Sequence, residues 1–195
     1  TYLTLDQAYI ALLNGEIDGV VDSEHRLAQV SAQQPQDIRF LAEPIELEPY
    51  AIGLVRQDAP MRDLVNRTLQ YLTATGRMDE IHQTHFTGQG YERLLVWDGL
   101  GEDAPSPADY SSELDFPQSY VLGRLSANPV VRVAGLIGVT VDSDAPESDR
   151  RLDTFHRQLV QAMVARWGMT AEFVPDSYNN AVDLVAAGQA DIAVG

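Results

Sequence analysis

Lysine and cysteine are both missing from this chain, and so is any apolar run long enough to span a bilayer. Without a lysine ammonium there is no Schiff-base chemistry and no P-loop phosphate cradle. Without a thiol there is neither a cysteine nucleophile nor a disulfide framework, which leaves the redox compartment open. A helix crossing a hydrocarbon core needs about 20 consecutive apolar residues, and no signal-peptide pattern precedes the first helix. Basic residues are scarce: all 13 are arginine, against 29 acidic residues, for a net charge of -16. A protein that neutralises phosphates needs a basic face, so the charge argues against nucleic acid as a partner. The patterns Gly-x-Ser-x-Gly, His-Glu-x-x-His and a glycine-rich phosphate loop are also missing. No catalytic residue, cofactor or metal ligand is therefore assigned.

What the chain does contain is a phrase that occurs twice. Ala8-x-x-x-Leu12-x-x-Gly15-x-x-Asp18-x-x-Val21 returns as Ala181-x-x-x-Val185-x-x-Gly188-x-x-Asp191-x-x-Val194. Each copy predicts a helix, a glycine that closes it in the left-handed conformation, and a buried strand, Ile17–Val21 in the first and Ala190–Val194 in the second. Ordinary helix-to-strand punctuation gives the same pattern in many α/β proteins, so the context on either side matters.

Thr4-x-x-Gln7 has the form of a capping box for the first helix, and Ser23 is placed to cap a second one reaching Val30. Strands are predicted at Ile38–Leu41 and Tyr50–Val55. Asp58 before Pro60 starts a helix with the apolar stripe Met61, Leu64, Val65, Thr68 and Leu72, which Gly76 stops; a shorter helix spans Met78–Phe86. From Thr87 to Pro129, prolines interspersed with Gly, Ser and Asp predict an irregular linker. Its apolar patches, Leu94–Trp97 and Tyr120–Leu122, predict that it lies along a neighbouring surface. A strand at Val130–Ala134, a helix with the stripe Leu152, Phe155, Leu159, Met163 and Trp167, a strand at Ala171–Val174, a helix at Asn179–Ala187 and the strand ending at Gly195 complete the pattern. Strands alternating with helices imply an α/β fold with a largely parallel sheet and covered faces.

Two stretches carry a resemblance. Glu43-Pro44, Glu48–Val55, Leu64-Val65-Asn66-x-x-Leu69, Gly76-x-x-Asp79-Glu80-Ile81 and His85-Phe86 resemble the closing third of the family 3 extracellular solute-binding proteins. Val131–Ala134, Phe155-x-x-x-Leu159, Ala162, Arg166-Trp167-Gly168, Glu172–Pro175 and Asn180-Ala181 resemble the opening third of the same family. The ending thus precedes the beginning. The resemblance implies partial lobes of a periplasmic-binding-protein type II clamshell: the end of one module over residues 1–86, a linker over 87–129, and the start of a second module over 130–195. With Thr at position 1 and a predicted strand running to the last residue, the chain reads as a piece of a longer protein. The implied function is binding of a small polar solute, an amino acid or similar, for ABC-type import, in the periplasm or outside the cell. The implied partners are an ABC permease or a tethered membrane output domain. Two other classes share the clamshell: periplasmic enzymes (dehydratases and lyase-associated domains), for which His25 is the nearest acid or base, and the sensing domains of membrane-bound kinases.

In the family, the resemblance implies, an Asp five residues after the Asp of the Gly-x-x-Asp phrase grips the ligand ammonium. Here Ser23 holds that place and Asp22 comes one residue early, which in a strand reverses the side-chain direction. Either a local shift restores Asp22 to the cleft, or this lobe does not bind in the family manner. A purely local reading makes Ser23 a helix N-cap and Asp22 a complement to the helix dipole. The loop Val141–Arg150 carries Asp142, Asp144, Glu147 and Asp149, which suit a cation or cationic solute; a solvated acidic loop is the alternative, since Pro146 and Glu147 break the calcium-loop pattern. Gly195, closing the last strand, completes the ligand-binding candidates with Asp22, Ser23, Asp142 and Asp144. His82 and His85 share a helical face that permits joint metal ligation, with an ordinary surface helix end as the alternative.

Overall fold

The computed structural model describes residues 5–23, 27, 30–31, 36–39, 41, 45, 50–87, 107–113, 118–135, 147–175 and 180–195. The chain divides into two units, Thr1–Glu48 and Pro49–Gly195.

In the first unit the apolar stripe forms helix α1, Leu5–Leu13. Gly15 closes it at φ 71°, with Gly15 N–H donating to Leu12 O at 3.0 Å and Glu16 N–H to Ala11 O at 2.9 Å. The strand expected at Ile17–Val21 is not formed: these residues have no ladder partner, and Val21 is 77% exposed. A lone extended segment gains no inter-strand hydrogen bonds, so β-propensity by itself cannot hold it as a strand. The strand expected at Ile38–Leu41 is likewise absent at its described residues, Ile38, Arg39 and Leu41. The helix expected after Ser23 is present where it is described, at Leu27 and Val30–Ser31, with Leu27 N–H bonded to Ser23 O at 3.1 Å.

The second unit is an α/β structure with one small mixed sheet. Strand β1 (Ile52–Leu54) leads into α2 (Ala59–Ala74) and α3 (Arg77–His85). A short 3-10 turn at Pro107–Asp109 precedes α4 (Gln118–Ala127) and β2 (Val130–Ala134). Helix α5 (Glu147–Arg166), β3 (Thr170–Phe173), α6 (Ala181–Ala186) and β4 (Ile192–Val194) complete the unit. The sheet order is β1-β4-β2-β3. β2 runs parallel to both β3 and β4, whereas β1 is antiparallel to β4, pairing Ile52 with Val194 and Leu54 with Ile192. The three parallel strands are linked by helical crossovers; β1 stands outside that series at an edge and runs against it, which makes the sheet mixed.

Alternation along β4 divides its side chains between two cores. Ile192 and Val194 join Val131 and Val133 of β2, and this face packs under Met61, Leu64, Val65 and Leu72 of α2 and Leu159, Val160, Met163 and Trp167 of α5. Ala193 and Ala134 turn the other way and meet Val185 of α6. Residues 52–85 and 130–194, which resemble opposite ends of a module, therefore share one sheet and one core. The stripe predicted for α2 is the buried one, and Asp58 caps that helix by accepting Met61 N–H at 3.1 Å. The indole of Trp167 donates to the buried Thr68 hydroxyl at 2.8 Å, and that hydroxyl donates to Leu64 O at 2.6 Å, so neither polar group is stranded in the core.

Between 87 and 129 the expected irregular course gives way to helix at Gln118. α4 inserts Val121, 4% exposed, into the core. Tyr120 OH donates to Asp58 Oδ2 at 2.9 Å, and Arg124 pairs with Asp191 at 3.3 Å. Helical spacing puts these three residues on one side of α4, and burial against the second unit outweighs the weak intrinsic preference of a segment containing Gly123.

Candidate functional site

In a sheet built from parallel strands, ligands are met at the carboxyl edge, where loops leave the strands. Here that edge is formed by Ala134–Gly135 after β2, Phe173–Val174 after β3 and Val194–Gly195 after β4. The amino end of β1 lies there too, because Ile52 pairs with Val194. Gly135 sits at φ 97°, and a Cβ on it would lie 2.5 Å from Val194 O and 3.0 Å from Ala181 Cβ. Only glycine allows this close approach between β2, β4 and α6.

Helix α5 brings polar groups to the same edge. Its first half buries Asp153, fully, and His156, 3% exposed. Asp153 Oδ2 accepts Arg157 Nε–H at 3.0 Å, and the Arg157 guanidinium lies over the ring of Phe173, the last residue of β3, 4.7 Å from its centroid. Asp153 Oδ1 and His156 Nδ1 are both buried with no hydrogen-bond partner. Tyr50, two residues before β1, meets the imidazole of His156 edge-on at 5.2 Å between centroids. Burial pushes His156 down from 6.5 to about 4, with the neighbouring Asp153 carboxylate pulling in the opposite direction, so the ring is neutral near pH 7.

Phe155, whose ring lies 5.6 Å from that of His156, gathers the end of α3. Its ring lies 5.6 Å from Phe86, 6.1 Å from His82 and 6.4 Å from His85. His85 Nε2 pairs with Gln158 Oε1 at 2.6 Å. His82 is lowered by burial, with Asp79 opposing. His82 and His85 thus join an aromatic contact between helices, and among the described residues no group of three or more His, Asp or Glu is placed to hold a metal ion. An open depression of about 500 Å³ lies elsewhere, lined by Leu72, Thr75, Arg77, Glu80, Ala162 and Arg166.

Of the residues expected to bind ligand, Gly195 stands at the carboxyl edge, at the end of β4. Asp142 and Asp144 lie outside the described residues, as does His25. Asp22 and Ser23 belong to the first unit, and the strand expected to carry them there is missing, so they do not mark a strand end. Asp22 Oδ1 accepts the backbone N–H of Ser23 at 2.7 Å and lies 3.4 Å from its hydroxyl.

Asp153 and His156 are the residues that sequence reasoning missed. Of the predicted α5 stripe, Leu159, Met163 and Trp167 are buried, whereas Leu152 and Phe155 at its start are half-buried. In the first half of the helix the buried positions are Asp153 and His156, in line with Val160, Met163, Val164 and Trp167 further on. That line has helical spacing in the sequence, and two polar residues upon it are the signal that was available. Comparison with known proteins gives no match, whether to family models, to curated proteins or to solved structures.

Proposed function

We propose that this chain binds a small polar solute, an amino acid or a compound like one, by closure of a clamshell lobe, and serves ABC-type import from the periplasm or cell exterior. One observation carries the reading: the stretches that resemble the closing and opening thirds of a solute-binding module contribute adjacent strands, β1 and β4, to one sheet. A lobe built from both ends of a module brings chain from each end into one sheet. The carboxyl edge holding Gly135, Gly195 and the first half of α5 is then the solute-binding surface; Asp142 and Asp144, which follow β2 in the sequence, remain candidates. Asp22 and Ser23 remain candidates within the first unit. Closure on solute would present the bound form to a permease or a tethered output domain. Among the described residues no helix is long and apolar enough to cross a membrane.

Isothermal titration of the full-length protein with a panel of amino acids and polyamines tests the proposal. Saturable binding of at least one solute, accompanied by a contraction in small-angle scattering, is expected. No binding to any member of the panel overturns it, and chemical turnover of a bound member would replace import with the clamshell-enzyme reading.

A further inference from the structure

Two buried polar atoms without partners, one helical turn apart, need a physical account. Leaving a buried acceptor unsatisfied is destabilising, more so for a charged group, and native proteins carry few such atoms. Asp153 Oδ1 and His156 Nδ1 are two of them on one helix. The pair lies at the carboxyl edge of the sheet: Arg157, bound to Asp153, covers Phe173 at the end of β3, and His156 touches Tyr50 beside the start of β1. Arg157 occupies only one of the two carboxylate oxygens. The other oxygen is a charge-assisted acceptor, and a neutral imidazole offers a second acceptor three residues further along the helix. Tyr50, 58% exposed, packs edge-on against the buried His156 ring from the solvent side, and the Phe155 ring lies 5.6 Å from the same imidazole.

We propose that Asp153 and His156 form a subsite for a cationic nitrogen group of the solute, a primary ammonium or a guanidinium, with Tyr50 as its cover. Such a group carries several N–H donors on one positive charge, and Asp153 Oδ1 and His156 Nδ1 supply an anionic and a neutral acceptor for them. The chain's excess of acidic residues favours the approach of a cation over that of an anion. This inference rests on the solute-binding reading and narrows it to solutes that bear a positive group beyond any α-ammonium, such as basic amino acids and polyamines.

The test uses the full-length protein, titrated calorimetrically with lysine, ornithine, arginine, putrescine, glutamine and glutamate. Binding of at least one of the four cationic compounds is expected, at least about tenfold tighter than glutamine or glutamate. Asp153→Asn is expected to weaken that binding about 30-fold or more. Lysine, ornithine and putrescine against arginine separate the ammonium from the guanidinium form. In the wild type, nitrogen-detected spectra of the His156 ring should shift on saturation with the bound cation, a readout that does not depend on any variant folding. Solute binding with an unmoved His156 ring, or with Asp153→Asn unaffected, overturns this inference while leaving the solute-binding reading in place. Preference for glutamine or glutamate overturns the inference in the same way. Failure of every solute to bind overturns both.

Discussion

Asp191 and Arg132 hold one another in both directions. The backbone N–H of Asp191 donates to Arg132 O at 2.8 Å, and the Asp191 carboxylate accepts from the Arg132 backbone N–H at 2.8 Å and from its guanidinium at 3.2 and 3.3 Å. This exchange locks the amino end of β4 onto β2 and fixes the register in which Val133 faces Ile192. Burial pushes the Asp191 carboxyl up, but the bonds from Arg132 and the charges of Arg124 and Arg132 together hold it below its ordinary value. Asp191→Ala is expected to lower stability by about 2–4 kcal/mol in urea titrations, since it strands a partly buried guanidinium. Because the folded value is the depressed one, this contribution is complete above the unfolded value of 3.8 and is lost as pH falls through the folded one.

His156 acts on stability at higher pH. Its ordinary value of 6.5 falls to about 4 in the folded protein, so the unfolded chain takes up its proton first. Stability is therefore expected to decline as pH drops from about 6.5 to about 4 and to lose nothing further from this residue below that, a total of about 3 kcal/mol. His156→Leu should flatten much of that slope without abolishing it, because burial lowers His82 as well. Urea midpoints at pH 7.5, 5.5 and 4.5 for the wild type and the variant check this.

Gly135→Ala is expected to cost about 3 kcal/mol or more in thermal or urea unfolding. The added Cβ would meet the backbone oxygen of Val194, which has no rotamer to move into, and φ 97° is strained for any L side chain. Its effect should concentrate at the carboxyl edge, visible as faster amide exchange in β4 than in α2.

Helix α4 is expected to fold with the second unit, and hydrogen exchange should show Val121–Arg124 protected along with α2. Tyr120→Phe removes the bond to Asp58 and should cost about 1 kcal/mol, while Val121→Ala should cost about 1–3 kcal/mol through the cavity it leaves. The Tyr120 phenol, raised to about 12 chiefly by burial and then by its bond to Asp58, should titrate well above the ordinary tyrosine value of 10.0 in ultraviolet difference spectra. Rapid exchange throughout 118–127 would show the segment to be independent of the core.

Legibility in the sequence depended on the range of the interaction that decides each element. The buried stripe and cap of α2 were readable because spacing and the Asp58-x-Pro60 start are local properties. α4 was not, because its helix depends on Val121, Tyr120 and Arg124 meeting residues 60 or more positions distant in sequence from at least one partner. Asp153 and His156 stood on a helical line in the sequence, but their burial depends on the placement of α5 against the sheet edge, and an alternative apolar line through Leu152 and Phe155 competed for the same reading.

The repeated phrase separates the two levels. Gly15 and Gly188 adopt φ 71° and 70°, and their turns carry the same bonds at the same offsets: Gly15 to Leu12 and Glu16 to Ala11 in one, Gly188 to Val185 and Gln189 to Leu184 in the other. The sequence alone determined that helix end, because a left-handed glycine and the last helical carbonyls satisfy each other within one turn. Beyond the turn the two copies diverge. Ile192–Val194 is a buried strand because β2 and β1 flank it and Arg132 grips Asp191; Ile17–Val21, of similar composition, finds no flanking strand and stays outside any sheet. A helix closes its hydrogen bonds within its own segment, whereas a strand closes them with chain from elsewhere, so only the tertiary structure decided which copy became part of a sheet.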